Sequence, residues 1–123
     1  MTFQFVENIK KTFQEIYDTL EVGGILTFAV HNPEQIKTFI PLGILFENFD
    51  SNKNPKNGIL NLEGTKIPIF IRTAQEYNQL LQPLGFEPLL EEYPPFTKEF
   101  TRKYPSSEPV DVPEYLILGY KKV

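Results

Sequence analysis

The sequence predicts an α/β domain, and four stretches carry that prediction. Val6, Ile9, Phe13, Ile16, Tyr17 and Leu20 recur at three- and four-residue intervals with Glu7, Lys10, Lys11 and Glu15 between them, the pattern of a surface helix with one buried stripe. Gly23 and Gly24 then lead into the apolar run 25–30, and two further apolar runs begin at Phe86 and Tyr115. A helix that turns directly into a nearly continuous apolar strand fits a sheet buried on both faces.

Each element follows in order. Gly23 or Gly24 is expected to stop the first helix, since glycine takes left-handed backbone angles without a Cβ penalty. In open α/β sheets the functional crevice lies beyond the carboxyl ends of the strands, which places His31, Asn32 and Pro33 there. Asn32-Pro33-Glu34-Gln35 supplies an N-cap and a proline at the first helical position, so a short helix should run through Phe39 and end before Pro41. Residues 42–49 are apolar enough to be covered, whereas 50–58 are turn-forming and should be an exposed loop. The runs 59–62 and 66–71 flank Glu63-Gly64-Thr65 as a hairpin, with Pro68 confining its strand to an edge.

Thr73 and Glu76 form a capping box that opens a helix with Tyr77, Leu80, Leu81 and Leu84 as its stripe. Pro83 should end or kink it early, near 79–82, and Gly85 stops it. Residues 86–93 are expected as a second core strand, weakened by Pro88. The connection 94–113 holds five prolines and one amphipathic turn through Phe96, Phe100 and Tyr104. Residues 115–120 close the chain as a strand apolar on both faces.

Composition narrows the function classes. The 123 residues suit one domain, 1–123, with a modest core. A net charge of -4 with scattered lysine and arginine argues against nucleic acid. The absence of cysteine excludes a disulfide frame, a thiol nucleophile and a cysteine metal site, and is compatible with a cytoplasmic setting. No stretch is long and apolar enough to span a bilayer, and the N-terminus lacks the basic start and apolar core of a signal peptide.

The order helix, Gly-Gly, apolar strand, covering segment, capped helix, Gly-Phe, strand, proline-rich connection and terminal strand resembles the C-terminal half of a class I S-adenosylmethionine-dependent methyltransferase. The likeness is carried by Leu20-Glu21-Val22-Gly23-Gly24-Ile25-Leu26, by 72–86 with Leu84-Gly85-Phe86, and by 113–122. It implies a Rossmann-like fold with a small mixed sheet in the family's strand order five, seven, six and helices mainly on one face. It also implies S-adenosylmethionine as cofactor and methyl transfer to a small-molecule acceptor, selected by a capping segment at 33–72.

The chain departs from that family at one point: it contains no G-x-G, and the family's glycine-rich cofactor loop lies upstream of the segments matched here. Cofactor-binding residues therefore stay unassigned. The outer edge of 25–30 and one sheet face would lie open, so the expected partner is a missing N-terminal half or a second copy in a homodimer. The rival reading is a truncated, non-catalytic methyltransferase remnant that serves as an interaction or dimerisation module.

His31 is the one histidine and the candidate catalytic base, because both its protonation states are accessible near neutral pH. Its structural alternative is to order the loop through Asn32 and Pro33. Asn32, Phe70, Arg72 and Tyr93 are the candidate substrate contacts. Arg72 offers a planar fork for an anionic group, or else pairs with Glu76 at the surface; Phe70 and Tyr93 line a pocket, or else belong to the core. Glu91 and Glu92 are adjacent on a strand and point to opposite faces, which makes them a poor acid/base pair. A lone histidine without a carboxylate cluster argues against a metal site. Residues 97–103 are mildly basic and read as a solvated helix face.

Overall fold

The structure, a computed structural model, describes residues 3–39, 46–50, 52–53, 55–95, 97–103 and 113–123. After a 3-10 turn at Phe3–Phe5, the elements are α1 (Ile9–Thr19), β1 (Ile25–His31), α2 (Pro33–Phe39), β2 (Phe46–Asp50), β3 (Lys56–Leu62), β4 (Thr65–Ile71), α3 (Ala74–Leu81), β5 (Phe86–Glu92), α4 (Lys98–Lys103) and β6 (Tyr115–Lys122).

Two three-stranded sheets result, in the orders β1-β6-β5 and β2-β3-β4. The terminal strand β6 lies in the middle of the first, antiparallel to both neighbours, so β1 and β5 run parallel to each other on either side of it. The β1–β6 register is regular, from Ile25 opposite Lys121 to His31 opposite Tyr115. Against β5 it shifts between Pro88 and Leu90, where proline cannot donate a ladder hydrogen bond.

The helices α1 and α3 bury their stripes on one face of this sheet. Ile9 and Phe13 of α1, and Ala74, Tyr77 and Leu81 of α3, pack against Phe28, Val30, Phe86, Leu116, Leu118 and Tyr120. The core is rich in aromatic edges: Phe28 meets Phe3 at 4.8 Å and Tyr77 at 5.3 Å, both near-perpendicular, and Tyr17 meets Phe86 at 5.2 Å. The opposite face carries Ile25, Thr27, Ala29, Tyr115, Ile117 and Leu90, of which Ile25, Thr27 and Leu90 are exposed.

Four expectations need correction. The first helix ends at Thr19, with Leu20 already extended, so neither glycine stops it. Instead Gly23, at φ +88°, turns the chain within a bend closed by the Gly24 amide donating to the Glu21 carbonyl. The run 25–30 is buried on alternate residues only, Phe28 and Val30 inward and Ile25 and Thr27 outward. In the expected second core strand, Phe86 is buried while residues 87–93 are exposed. Finally, β2 forms within the segment read as a covering stretch, and β3 begins inside the expected loop, at Lys56.

Other local readings hold, while Pro41 and residues 42–45 lie outside the described residues. The β3–β4 hairpin turns at Glu63-Gly64, Pro68 lies on the edge strand β4, and Thr73 and Glu76 satisfy each other's backbone donors. The helix α3 stops at Leu81 and tightens into a 3-10 turn containing Pro83, closed by Gly85 at φ +114°. Phe96 and Tyr104 lie outside the described residues. The second sheet shares a small apolar cluster, Leu60, Ile69 and Ile71, with Ile36 of α2.

Candidate functional site

The carboxyl end of β1, the amino end of α2 and the amino end of β6 meet at Asn32. Its side chain is buried and ties the three together: Nδ2 donates to the Pro113 carbonyl at 2.9 Å, and Oδ1 accepts from the Glu34 amide at 3.1 Å. The Asn32 amide donates to the Glu114 carbonyl, and its own carbonyl accepts from the amides of Gln35 and Ile36. Asn32 is therefore the N-cap expected of it, and its polar atoms serve the fold.

His31 stands beside it, its ring stacked on Tyr115 with centroids 6.0 Å apart and planes 26° from parallel. Nδ1 is buried without a hydrogen-bond partner, and burial holds the imidazole pKa below its ordinary value. The ring is thus neutral at neutral pH. Burial also raises the Tyr115 hydroxyl, reinforced by the charge of Glu114 and a hydrogen bond to it.

Tyr93 follows β5 at the same end of the sheet and is 41% exposed. Its hydroxyl is raised first by burial, then by the negative charges of Glu91 and Glu34, so α2 and the end of β5 share one electrostatic environment. Phe70 projects from β4, half-buried, with the Arg72 guanidinium carbon 5.8 Å from its ring centroid.

Arg72 is 4% exposed and does not pair with Glu76 at the surface. Its guanidinium donates to the carbonyls of Phe3, Val6 and Glu7, at 3.4, 2.9 and 3.0 Å, and so fastens the start of α3 to the segment ahead of α1. Glu76 instead accepts from Thr73. The side chain lines a cleft of about 240 Å³ with Glu7, Asn8, Lys10 and Glu76, into which neither His31 nor Tyr93 reaches. The structure therefore groups His31, Asn32 and Tyr93 at one end of the sheet, and sets Arg72 with Phe70 at the α1–α3 junction.

One buried polar group escaped the sequence reading. Gln4, in the 3-10 turn that Arg72 holds, is 2% exposed, and both of its amide atoms lack partners. The only signal in the sequence is a glutamine between Phe3 and Phe5, too slight to mark it. Among the described residues no group of three His, Cys, Asp or Glu side chains is placed to hold a metal ion, and no helix is long and apolar enough to cross a membrane.

No protein-family model matches the chain, and no curated protein matches it in sequence. Solved structures do. A candidate S-adenosylmethionine-dependent methyltransferase from Listeria monocytogenes is similar over 100% of this chain, with a TM-score of 0.74 at 16% identity. Methyltransferases dependent on the same cofactor from Mesorhizobium loti and Clostridium acetobutylicum each align over 98% of it, with TM-scores of 0.66 and 0.58 at 16% and 12% identity. This chain spans 59%, 58% and 54% of those three chains respectively, consistent with a C-terminal half. The fold is that of part of an S-adenosylmethionine-dependent methyltransferase.

Proposed function

We propose that this chain forms the acceptor-facing portion of an S-adenosylmethionine-dependent methyltransferase acting on a small molecule. The observation that carries this reading is the likeness along the whole chain to structures of such enzymes. The residues in hand do not form a cofactor cradle, because the sequence contains no G-x-G turn for close backbone approach. Cofactor binding is therefore assigned to further chain, and S-adenosylmethionine would supply an electrophilic methyl group on a sulfonium.

What this chain contributes follows from its own groups. His31, kept neutral by burial, takes the proton released by an accepting oxygen or nitrogen. Asn32 holds the β1–α2 corner that presents it, and Tyr93 offers apolar surface to the acceptor, whereas Phe70 stands apart beside Arg72. Arg72 acts by positioning, through the turn it clasps. The second sheet and α2 cap the acceptor and select it.

Isothermal titration of the protein, in the assembly in which it is purified from its own cells, should show one S-adenosylhomocysteine site per chain. No heat of binding would overturn the methyl-transfer reading. In that assembly His31→Gln should lower kcat by about 10²-fold or more while leaving S-adenosylhomocysteine affinity unchanged.

The rival, a non-catalytic interaction module, is favoured by the uncovered sheet face and predicts the same assembly with no such site.

A further inference from the structure

The cleft beside Arg72 stands apart from the His31 end of the sheet, and its charges are unmatched. Its walls are residues 7–10, α3 and Pro55, whose carbonyl accepts from the Asn57 side chain at 3.1 Å. Arg72 lines it at 4% exposure, and its guanidinium donates to three carbonyls, all of them neutral. Among the described residues it forms no ion pair. A buried cation calls for an anion beside it, because neutral dipoles replace only part of the hydration it has lost.

Further charges line the same space. Glu7 and Lys10 are exposed, and neither is ion-paired among the described residues. Glu76 adds a second carboxylate, one oxygen of which already accepts from Thr73. The cleft therefore sets two cations and two carboxylates around one opening and pairs none of them with another. A plain anion would meet Arg72 and Lys10 but be repelled by Glu7 and Glu76; a plain amine would meet the reverse. Ile9, Leu80 and Pro55 supply the apolar part of the lining. The volume of about 240 Å³ is the room of roughly eight waters at about 30 Å³ each, which sizes the occupant as a small metabolite.

We infer that this cleft binds a free amino acid with an apolar side chain, its carboxylate set toward Arg72 and Lys10, its ammonium toward Glu7 and Glu76, and its side chain against Ile9 and Leu80. Such a zwitterion answers both signs at once with charge-assisted hydrogen bonds. The site does not depend on the methyl-transfer reading, since His31 and Tyr93 lie outside it. Pro55 leads into β3 and Arg72 follows β4, so the occupant touches the second sheet and the two helices α1 and α3 together.

The test is isothermal titration of the protein, in the assembly in which it is purified, with L-leucine and with two analogues that each lack one charge, 3-methylbutylamine and 4-methylpentanoate. Expected is one leucine site per chain, with both analogues weaker by about tenfold or more, since each leaves one pair of like charges unanswered. Glu7→Gln and Lys10→Met should each weaken leucine by about tenfold, whereas Lys11→Met, exposed on the same helix but outside the cleft, should leave it unchanged. Absence of leucine binding, an analogue that binds as tightly as leucine, or a leucine site untouched by the Glu7 and Lys10 variants would each overturn the inference. Inorganic phosphate binding more tightly than leucine would overturn it too, by showing a plain anion site. Should a variant fail to fold, the analogue series on the wild-type protein still decides.

Discussion

Replacing Arg72 by leucine would strip donors from three backbone carbonyls in a buried junction. Hydrogen bonds to a charged group are worth about 1.5–3 kcal/mol each, so Arg72→Leu should cost about 3 kcal/mol or more, read as a fall in chemical-denaturation midpoint. Gln4 should behave oppositely. Its amide is buried and unbonded at a cost of about 1–3 kcal/mol, so Gln4→Met should raise Tm; a fall would show that the amide is bonded after all.

His31 sets a pH dependence. Burial lowers its folded pKa, whereas the unfolded imidazole titrates near 6.5, so in the interval below 6.5 the unfolded state binds more protons. Stability is therefore full above about 6.5 and falls as pH drops through and below that value. His31→Gln should flatten this part of the stability–pH curve, measured by urea unfolding. Residue identity at positions 31 and 72 was plain in the sequence, but the role of Arg72 was not, because its partners are carbonyls nearly seventy residues away, and carbonyls leave no mark in a sequence.

At the scale of elements, short-range chemistry was legible and long-range termination was not. The Thr73–Glu76 box, the Pro83 stop and the 63–64 turn depend on residues a few positions apart and stand where the sequence put them. The end of α1 depends on β6: Lys122 Nζ donates to the carbonyls of Tyr17 and Leu20 at 2.7 and 2.8 Å and lies 4.1 Å from the centre of the Tyr17 ring. A cation on the final carbonyls of a helix satisfies groups that otherwise lack donors. Lys122→Met should destabilise the chain by about 1–2 kcal/mol, seen in thermal melts. Gly85→Ala should be worse, since φ is +114° and the new Cβ would stand 2.6 Å from the Tyr17 hydroxyl; hydrogen exchange should show β5 loosened. The mostly exposed β5 was misread for a related reason: Leu90 looks like core in a sequence, and its place over Gly119 on the open sheet face leaves it uncovered.

Over the whole molecule, the strand that joins the first sheet together is the last in chain order. β6 bonds to β1 along one side and β5 along the other, and its final residues close both glycine corners: the Lys122 carbonyl accepts from Gly23, and the Val123 amide donates to the Gly85 carbonyl. Before β6 exists, β1 and β5 share no ladder. A nascent chain leaving the ribosome must consequently hold the apolar β1 and the glutamate-bearing β5 apart, unzipped, until translation has delivered the codons of β6, and during that wait β1 is open to chaperones and to any stray strand nearby.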